Sequence, residues 1–330
     1  MRHLLGIEQL NREELANYLN NAKSFVEVGT RDLKKVPALR GKTVINMFME
    51  PSTRTRASFE IAGKRLSADV INIGGSDSST SKGETLLDTA RTLQAMTPDV
   101  LVVRHKQSGA AHFLARHLKR TSVINAGDGM HEHPTQALLD CVTLQQHFRD
   151  RNDGISKLRI AIVGDVRHSR VARSNVYAHA LLGNEVHLVG PPTLVPPELS
   201  SIKCFGAKQF ANKVKVFSDF AKGIEGADVV MALRMQLERQ EDHFVPSLQE
   251  YTDAYCITEK RLSTYAPNAV VLHPGPMNRG LEISSEVADG KRSLIENQVN
   301  NGVAVRMAVL FALVTSHNYS SLETGHTKES

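Results

Sequence analysis

The sequence predicts an α/β protein with two domains, each built on a parallel sheet flanked by helices. Apolar runs of strand length alternate with stretches of helical periodicity along most of the chain, which is typical of parallel sheets covered on both faces. The alternation restarts after a polar, glycine-containing stretch at 149–157, and such a composition favours a linker. A length of 330 residues also exceeds one ordinary hydrophobic core.

The first domain is predicted over residues 1–148. The run Thr43–Met49 is apolar and of strand length, and Phe59, Ala62 and Leu66 then recur at helical spacing. Further strands are predicted at 68–73, 100–103 and 122–125, and helices at 8–27, 85–95, 110–119 and 134–147.

The second domain is predicted over residues 149–292, and a helix over 293–316 is expected to pack back on the first domain. Ser293 and Glu296 fit a capping box at the start of this helix, and its later residues are too apolar to be left in water. The tail 317–330 has little to bury and is expected to be disordered. The strands of the second domain are predicted at 159–163, 185–189, 228–233 and 269–272.

Composition and charge narrow the class of protein. The formal charge is +5, but the basic residues are dispersed and Trp is absent, so a nucleic-acid-binding surface is disfavoured and a small anionic substrate is favoured. The cysteines, Cys141, Cys204 and Cys256, lie far apart without a C-x-x-C pair, which indicates neither a zinc knuckle nor a disulfide framework. No apolar run approaches the roughly 20 residues that span a bilayer, and a cytoplasmic protein without membrane contact is expected.

The segment Glu50-Pro51-Ser52-Thr53-Arg54-Thr55-Arg56 is the strongest local signal for a binding site. It lies between a predicted strand and a predicted helix, where unpaired N–H groups and a partial positive charge attract phosphate. Arginine adds a planar fork that grips phosphate oxygens in pairs. The alternative is a Ser/Thr helix cap with two surface arginines, and two guanidiniums with hydroxyls directly after a strand favour the anion site.

Other strand ends carry polar groups of the same kind. Ligands of open parallel sheets bind beyond the carboxyl ends of the strands, and five of the six such ends considered carry arginine. His131-Glu132-His133 lacks the i, i+4 spacing of a helical zinc pair, and no metal is expected. Neither G-x-G-x-x-G nor a P-loop is present. The segments at these ends are 52–55, 104–105, 127–136, 164–170, 234–236 and 273–280.

The segment 74–84 is rich in glycine and serine and carries one lysine, Lys82. Its composition predicts a mobile loop. It is either a plain surface loop or one that closes over an anion.

Five segments together resemble the carbamoyltransferase family, in order and spacing, from about residue 3 to 314. Within the family the similarity is to the enzymes that act on aspartate, because Arg234-Met235-Gln236 resembles their R-x-Q segment. The ornithine enzymes usually carry H-C-L-P where this chain has His273-Pro274-Gly275-Pro276, and their D-x-x-x-S-M-G segment is not found. The segments are 48–56, 81–85, 103–105, 133–136 and 273–280.

The resemblance implies transfer of the carbamoyl group from carbamoyl phosphate to the α-amino group of L-aspartate, an early step of pyrimidine (UMP) biosynthesis. It implies a phosphate site at Ser52, Thr53, Arg54 and Thr55. It further implies that Arg104, His133 and Thr55 donate to the carbonyl oxygen, with His133 a neutral donor. Gln136 and the backbone near Pro274, Gly275 and Pro276 would hold the carbamoyl NH₂.

For the acceptor, the resemblance implies that Arg170 and Arg234 each grip one aspartate carboxylate, assisted by Gln236. Two cationic clamps also suit a dicarboxylate by charge alone. Neither a cofactor nor a covalent intermediate is implied. Relatives form homotrimers in which the mobile loop enters a neighbour's site, a role that would fall to Lys82, and some associate with a regulatory chain or with dihydroorotase. The alternatives are a carbamoyltransferase for ornithine or another acceptor, and a catalytically silent assembly subunit.

Overall fold

A computed structural model describes residues 2–74, 84–200, 213–236 and 244–323, with backbone alone at 317–323. The chain divides into two compact units, residues 1–138 with 301–330 and residues 139–300. The division falls before the predicted linker at 149–157. Each unit contains one parallel sheet flanked by helices, as the sequence predicted.

The first unit is built on a four-stranded sheet with the strand order β2-β1-β3-β4. All neighbours are parallel, and β1, β3 and β4 are buried along almost their whole length, as expected of strands covered on both faces. β2 is an edge strand with mixed exposure. The strands are β1 (Thr43–Phe48), β2 (Asp69–Gly74), β3 (Val100–His105) and β4 (Ser122–Asp128).

Helices on the first unit begin close to their predicted positions. α1 starts four residues later than predicted because Asn11 is its N-cap: the Asn11 side chain accepts from the Glu14 N–H, and Glu14 returns a bond to the Asn11 N–H, which is a capping box. The helices up to the end of this part of the chain are α1 (Arg12–Thr30), α2 (Thr53–Arg65), α3 (Leu86–Ala95), α4 (Ala110–His117) and α5 (Pro134–His147).

The second unit is built on a five-stranded parallel sheet with the strand order β7-β6-β5-β8-β9. Four of these strands were predicted. β7 was missed because it is a four-residue edge strand in which only Val214 is buried, too short for periodicity to reveal. The strands are β5 (Arg159–Val163), β6 (Glu185–Val189), β7 (Val214–Phe217), β8 (Val229–Ala232) and β9 (Val270–Leu272).

Helices of the second unit are short and capped by side chains. Ser169, Asp219, Ser247, Thr258 and Ser284 each accept a hydrogen bond from the first turn of the helix that follows, an arrangement that satisfies otherwise unpaired N–H groups. The helices are α6 (Arg170–Leu181), α7 (Phe220–Ile224), α8 (Leu248–Tyr255), α9 (Glu259–Tyr265) and α10 (Ser285–Ala288).

The last helix, α11 (Ile295–Glu323), packs on the first unit as predicted. Its Phe311 ring lies 5.8 Å from the ring of Phe25, and the Arg306 guanidinium stacks over the ring of Phe59. The predicted capping box at its start is wrong. Ser293 instead bridges to Val271 beside β9, and its hydroxyl accepts from the Ile295 N–H, so the helix begins two residues later.

The far end of α11 also differs from the prediction, because the helix continues to Glu323, beyond the predicted end at residue 316. The part Ile295–Ser316 has a mean hydropathy of 1.4 and is, by length and composition alone, apolar enough to cross a membrane. However, 61% of that stretch is buried inside the molecule. Buried core helices meet the same criterion, and this one lies against the first unit.

Candidate active site

The strand order places four of the six predicted site segments, those after β1, β3, β5 and β8, at a topological switch point. In the first unit β1 is followed by β2 on one side and by β3 on the other, so the chain leaves the sheet in opposite directions after neighbouring strands. In the second unit β5 and β8 have the same relationship. Ligands of open α/β sheets bind at such points, beyond the carboxyl ends of the strands.

The start of α2 follows β1 at the first switch point. Ser52 is its N-cap residue, yet the Ser52 side chain makes no capping hydrogen bond. In seven other helices of the described chain the N-cap side chain does accept one. Thr55 is buried, whereas Thr53 and Arg54 are exposed. The hydroxyl of Ser52 is therefore not committed to the helix end, as an anion-binding helix start requires.

Arg104 lies at the end of β3, paired in register with Phe48 of β1. It is 8% exposed, and its guanidinium donates from Nη2 to Oε1 of Glu50 at 2.8 Å and from Nη1 to the Ala126 carbonyl at 3.2 Å. These two bonds fix the plane of the guanidinium. The structure thus brings Arg104 together with the 50–55 segment, as the sequence predicted, and adds Glu50 as its partner.

His133 and Gln136 lie at the start of α5 and are buried, 5% and 8% exposed. The Gln136 N–H donates to the His133 carbonyl at 2.9 Å, and this bond lies at the start of the helix that follows the turn after β4. Pro134 is the first helical residue, the position in which a missing N–H costs least. The first turn of α5 therefore positions the side chains of both His133 and Gln136.

The turn between β4 and α5 is held by Asp128, which is fully buried. Its carboxylate accepts from Asn125 Nδ2 at 2.8 Å, Gly109 N at 2.6 Å and Glu132 N at 3.1 Å. Burial opposes the ionisation of Asp128, but hydrogen bonds from His131 and Asn125 outweigh it and lower the pKa. This carboxylate therefore fixes the conformation of the turn that leads to His133.

His131 lies between two carboxylates. Its Nδ1 is 3.2 Å from both Asp128 oxygens and its Nε2 is 3.3 Å from Glu8. Hydrogen bonds to Asp128 and then to Glu8 raise the pKa of His131 to about 10, against the effect of burial. His131 is therefore a cation at neutral pH.

The structure places potential metal ligands close to His131. His112, Asp128 and His131 lie close enough for their ligand atoms to share an ion, as do Glu8, His131 and Glu132. However, Asp128 already accepts several N–H donors and His131 is protonated. A metal would have to displace these contacts, which makes the group a poor fit for one.

In the second unit, Arg170 is the first residue of α6, directly after the Asp165–Ser169 turn that follows β5, and is 6% exposed. Asp165 Oδ1 accepts from both the backbone N–H of His168, at 3.2 Å, and His168 Nδ1, at 2.8 Å. Ser169 caps α6 through the Ala172 N–H. The turn fixes where the Arg170 side chain leaves the helix.

Arg234 and Gln236 follow β8 and are half-buried, with Met235 fully buried between them. The Leu233 N–H donates to the Val163 carbonyl of β5 at 2.8 Å, which joins the two strand ends. Arg170 and Arg234 thus follow the two strands that flank the second switch point.

The segment His273–Gly280 follows β9. Gly275 has a φ of +63°, the Gly275–Pro276 peptide bond is cis, and the Gly275 N–H donates to Nδ1 of His273 at 2.8 Å. Pro276 is exposed and Gly275 half-buried. The backbone here is shaped by His273, whose other ring nitrogen contacts Glu282.

The remaining predicted residue, Lys82, lies outside the described residues, as do Ser78, Ser79 and Ser81. Sequence reasoning assigned no role to Glu50, Asp128 or Glu282. Glu50 belongs to the segment 50–56, which was identified from the sequence as a candidate anion site. Its position next to Pro51 in that segment was the available signal that it takes part in the site. A cleft of about 450 Å³ in the first unit contains none of the predicted site residues; it is lined by Thr85–Leu87, Gln107–Ala110 and Phe113.

Two family models match the chain. Residues 2–146 match the carbamoyl-P binding domain of aspartate/ornithine carbamoyltransferase, and residues 156–313 match the Asp/Orn binding domain of the same family. Between them the two matches cover most of the chain.

Individual relatives agree with these matches. The aspartate carbamoyltransferase catalytic subunit of Magnetococcus marinus is 54% identical over 99% of this chain and 97% of its own length. A crystal structure of aspartate transcarbamoylase from Trypanosoma cruzi in complex with aspartate and phosphate superposes with a TM-score of 0.80 at 28% identity, covering 94% of this chain and 96% of that one.

The ornithine branch has the same fold. Ornithine carbamoyltransferase from Pyrococcus furiosus superposes with a TM-score of 0.82 at 26% identity, covering 95% of this chain and 97% of that one. Fold alone therefore does not separate the acceptors. With both domain models matched along the chain and a relative more than half identical over almost its whole length, this protein belongs to the aspartate/ornithine carbamoyltransferase family.

Proposed function

We propose that this chain is an aspartate carbamoyltransferase, which transfers the carbamoyl group of carbamoyl phosphate to the α-amino group of L-aspartate and yields N-carbamoyl-L-aspartate and phosphate. The observation that carries the proposal is the 54% identity to a catalytic subunit of that enzyme over 99% of the chain. The reaction supplies a precursor for pyrimidine (UMP) biosynthesis.

The first unit binds carbamoyl phosphate. Its phosphate lies at the start of α2, where Ser52 is not used as a cap and where Thr53, Arg54 and Thr55 follow within one turn. Backbone N–H groups and the partial positive charge of the helix end favour a dianion there. The exposed Arg54 adds a bidentate contact.

The carbonyl oxygen of the carbamoyl group gains negative charge as the amine attacks. Arg104, His133 and Thr55 donate to that oxygen, and all three are buried. Donors held in advance in a water-poor site stabilise developing charge without reorganising. Gln136 and the backbone near Pro274, Gly275 and Pro276 hold the carbamoyl NH₂.

The second unit binds L-aspartate. Arg170 and Arg234 follow the two strands of its switch point, and each binds one carboxylate, with Gln236 and Lys82 assisting. Ornithine would instead require an acidic partner for its side-chain ammonium. Two arginines at one switch point fit a dicarboxylate by charge.

Transfer needs no covalent enzyme intermediate. The amine attacks the carbamoyl carbon, the C–O bond to phosphate breaks, and the leaving phosphate accepts the proton that the amine loses. Positioning and electrostatic stabilisation are then the contributions of the protein, and this chain's own residues supply them without a cofactor.

We further propose that the chain acts in the cytoplasm as a homotrimer in which Lys82 completes the site of a neighbouring copy. A regulatory chain or a dihydroorotase(-like) chain in a larger complex fits the same family. A dihydroorotase(-like) partner is favoured by the sequence of one segment, His273-Pro274-Gly275-Pro276-Met277-Asn278-Arg279-Gly280.

The test is to incubate purified protein with carbamoyl phosphate and either L-aspartate or L-ornithine and to measure the carbamoylated product. We expect product with aspartate and none with ornithine. Product with ornithine alone would assign the other branch of the family, and no product with any acceptor would indicate a silent assembly subunit. The Arg54→Ala variant serves as the matched inactive control.

A further inference from the structure

A chain of buried polar side chains in the second unit leads from α6 to the segment 273–278. Asn175 Nδ2 donates to Asp140 at 2.9 Å, Gln298 Nε2 donates to the other Asp140 oxygen at 2.7 Å, and Gln298 Oε1 accepts from the His273 N–H at 2.9 Å. The side chain of His273 then contacts Glu282 at 3.1 Å. Each of the five residues is 4% exposed or less.

The two ring nitrogens of His273 have different roles. The Gly275 N–H donates to Nδ1 at 2.8 Å, so Nδ1 carries a lone pair. The ring proton is therefore on Nε2, which donates to Oε1 of Glu282. The hydrogen bonds thus assign one tautomer to His273, and that tautomer is the one that can hold the Gly275 backbone.

Glu282 ties both ends of the same turn. Its Oε1 accepts from Nε2 of His273 and from the backbone N–H of Asn278 at 2.5 Å, so one oxygen joins the first and the sixth residue of the segment. Its Oε2 is buried without a hydrogen-bond partner in the described part of the chain. Glu282 is 1% exposed, and no Lys or Arg among the described residues pairs with it.

Such a carboxylate is an unfavourable way to stabilise a fold. A buried carboxyl group with an unsatisfied oxygen is costly, and apolar residues that replace a buried polar pair as a whole commonly do so without loss of stability. The arrangement is instead well suited to holding a backbone segment in one geometry. Strained or costly features of this kind concentrate at functional sites.

We propose that Glu282 is a positioning residue for the carbamoyl group: through His273 and the Asn278 N–H it holds the backbone of Pro274 and Gly275 where the carbamoyl NH₂ binds. The inference deepens the proposed function and rests on it. Gln298, Asp140 and Asn175 anchor His273 from the other side, and Asn175 belongs to α6, which begins with Arg170. The turn that receives the donor and the helix that starts with Arg170 therefore share one hydrogen-bonded support.

Comparing the binding of two anions distinguishes a loss of positioning from a general loss of stability. Inorganic phosphate has no carbamoyl group and depends on the start of α2, whereas carbamoyl phosphate depends on both sites. In the Glu282→Leu variant we expect carbamoyl phosphate to bind at least tenfold more weakly and inorganic phosphate to bind within about twofold of wild type, by calorimetry with fresh carbamoyl phosphate at low temperature. The thermal unfolding midpoint should fall, because the substitution leaves the Asn278 N–H and the Nε2–H of His273 without their acceptor, and both affinities are therefore measured at a temperature at which the variant is folded.

The Glu282→Gln variant keeps an acceptor oxygen for His273 and Asn278, so its carbamoyl phosphate affinity should stay within about threefold of wild type. The matched control is Glu286→Leu, an exposed carboxylate four residues further on, which should change neither affinity. If Glu282→Leu does not bind phosphate because it fails to fold, Glu282→Met replaces it, being closer in shape.

Equal weakening of both anions, or equal weakening in the Gln and Leu variants, would overturn the proposal, as would unchanged carbamoyl phosphate affinity in Glu282→Leu. Failure of the proposed function has a different signature, because wild-type protein would then neither bind carbamoyl phosphate nor form product.

Discussion

Arg104 and Glu50 form an ion pair of 2.8 Å at the switch point of the first unit, one from the end of β3 and the other just after β1. Their side chains are 10% and 19% exposed, so the pair is largely shielded from water. A second bond joins the Arg104 guanidinium to the Ala126 carbonyl. Glu50 thus orients the arginine that we propose to polarise the carbamoyl carbonyl.

Replacing Glu50 tests this orientation. In Glu50→Ala the Arg104 guanidinium loses its carboxylate partner but stays at the end of β3, so kcat/KM should fall about ten- to a hundredfold, equivalent to about 1.4–2.7 kcal/mol of transition-state stabilisation. Steady-state kinetics with carbamoyl phosphate as the varied substrate would measure it.

The control for this prediction is Glu60→Ala in α2. Glu60 also pairs with a cation, Lys64, but at the surface, where such pairs contribute little. Its kcat/KM should stay within about twofold of wild type. A loss as large in Glu60→Ala as in Glu50→Ala would mean that the effect is not specific to Arg104.

Replacing each of the two arginines at the start of α2 should have very different effects on activity. They are two residues apart on a helix and so point in nearly opposite directions, although both are exposed. Arg54→Ala should lower kcat/KM by about a thousandfold or more, without a change in the unfolding midpoint, because a phosphate clamp is lost. Arg56→Ala should remain within about threefold. Similar losses in both, or full activity in Arg54→Ala, would contradict the assignment.

Most of the fold was predictable because its strands are buried on both faces. β5 and β6 were predicted to the residue, since apolar runs such as Ile160–Val163 between polar turns have the length of a strand and are too short for a helix. β7 has one buried residue and leaves no such pattern. The start of α11 was misplaced because Ser293 is engaged by β9, a long-range contact that a local capping pattern does not contain.

The candidate site was predicted in part for the same reason. Arg104 lies near the end of β3 and Arg170 follows the short turn after β5, so the strand-end rule finds both. Their supports do not follow from the sequence: Glu50 meets Arg104 only because β1 and β3 are neighbours, and Glu282 meets His273 across a turn of nine residues. Strand order and side-chain pairing are tertiary facts, and periodicity does not encode them.

The proposed trimer leads to a complementation experiment at Lys82. If Lys82 of one copy completes the site of the next, a Lys82→Ala chain and an Arg54→Ala chain damage different parts of each shared site. Mixing the two inactive proteins after mild dissociation should then restore activity, because some sites receive both intact residues. The regained rate and the subunit composition would be measured on the same sample.

Mixing each variant with itself is the control, and should restore nothing. Mixed oligomers that form and remain inactive would exclude a shared site, and activity of Lys82→Ala alone would exclude the role of Lys82.

His131 should make the stability of the first unit depend on pH. Its pKa is raised from 6.5 to about 10 in the folded protein by Asp128 and Glu8, so the folded state binds this proton more tightly than the unfolded state does. The stabilisation is therefore fully present below pH 6.5 and is lost as the pH rises to about 10. Because the imidazole is partly exposed, we expect a contribution of about 1–2 kcal/mol.

The measurement compares thermal unfolding of wild type and His131→Ala from pH 6 to pH 10. The difference between their midpoints should be largest at pH 6, a few degrees for a contribution of about this size, and should shrink steadily toward pH 10. Glu8→Gln removes one of the two carboxylates and should reduce this pH dependence while leaving its direction unchanged. A midpoint difference that is constant with pH, or one that grows as the pH rises, would show that His131 does not carry its charge between Asp128 and Glu8.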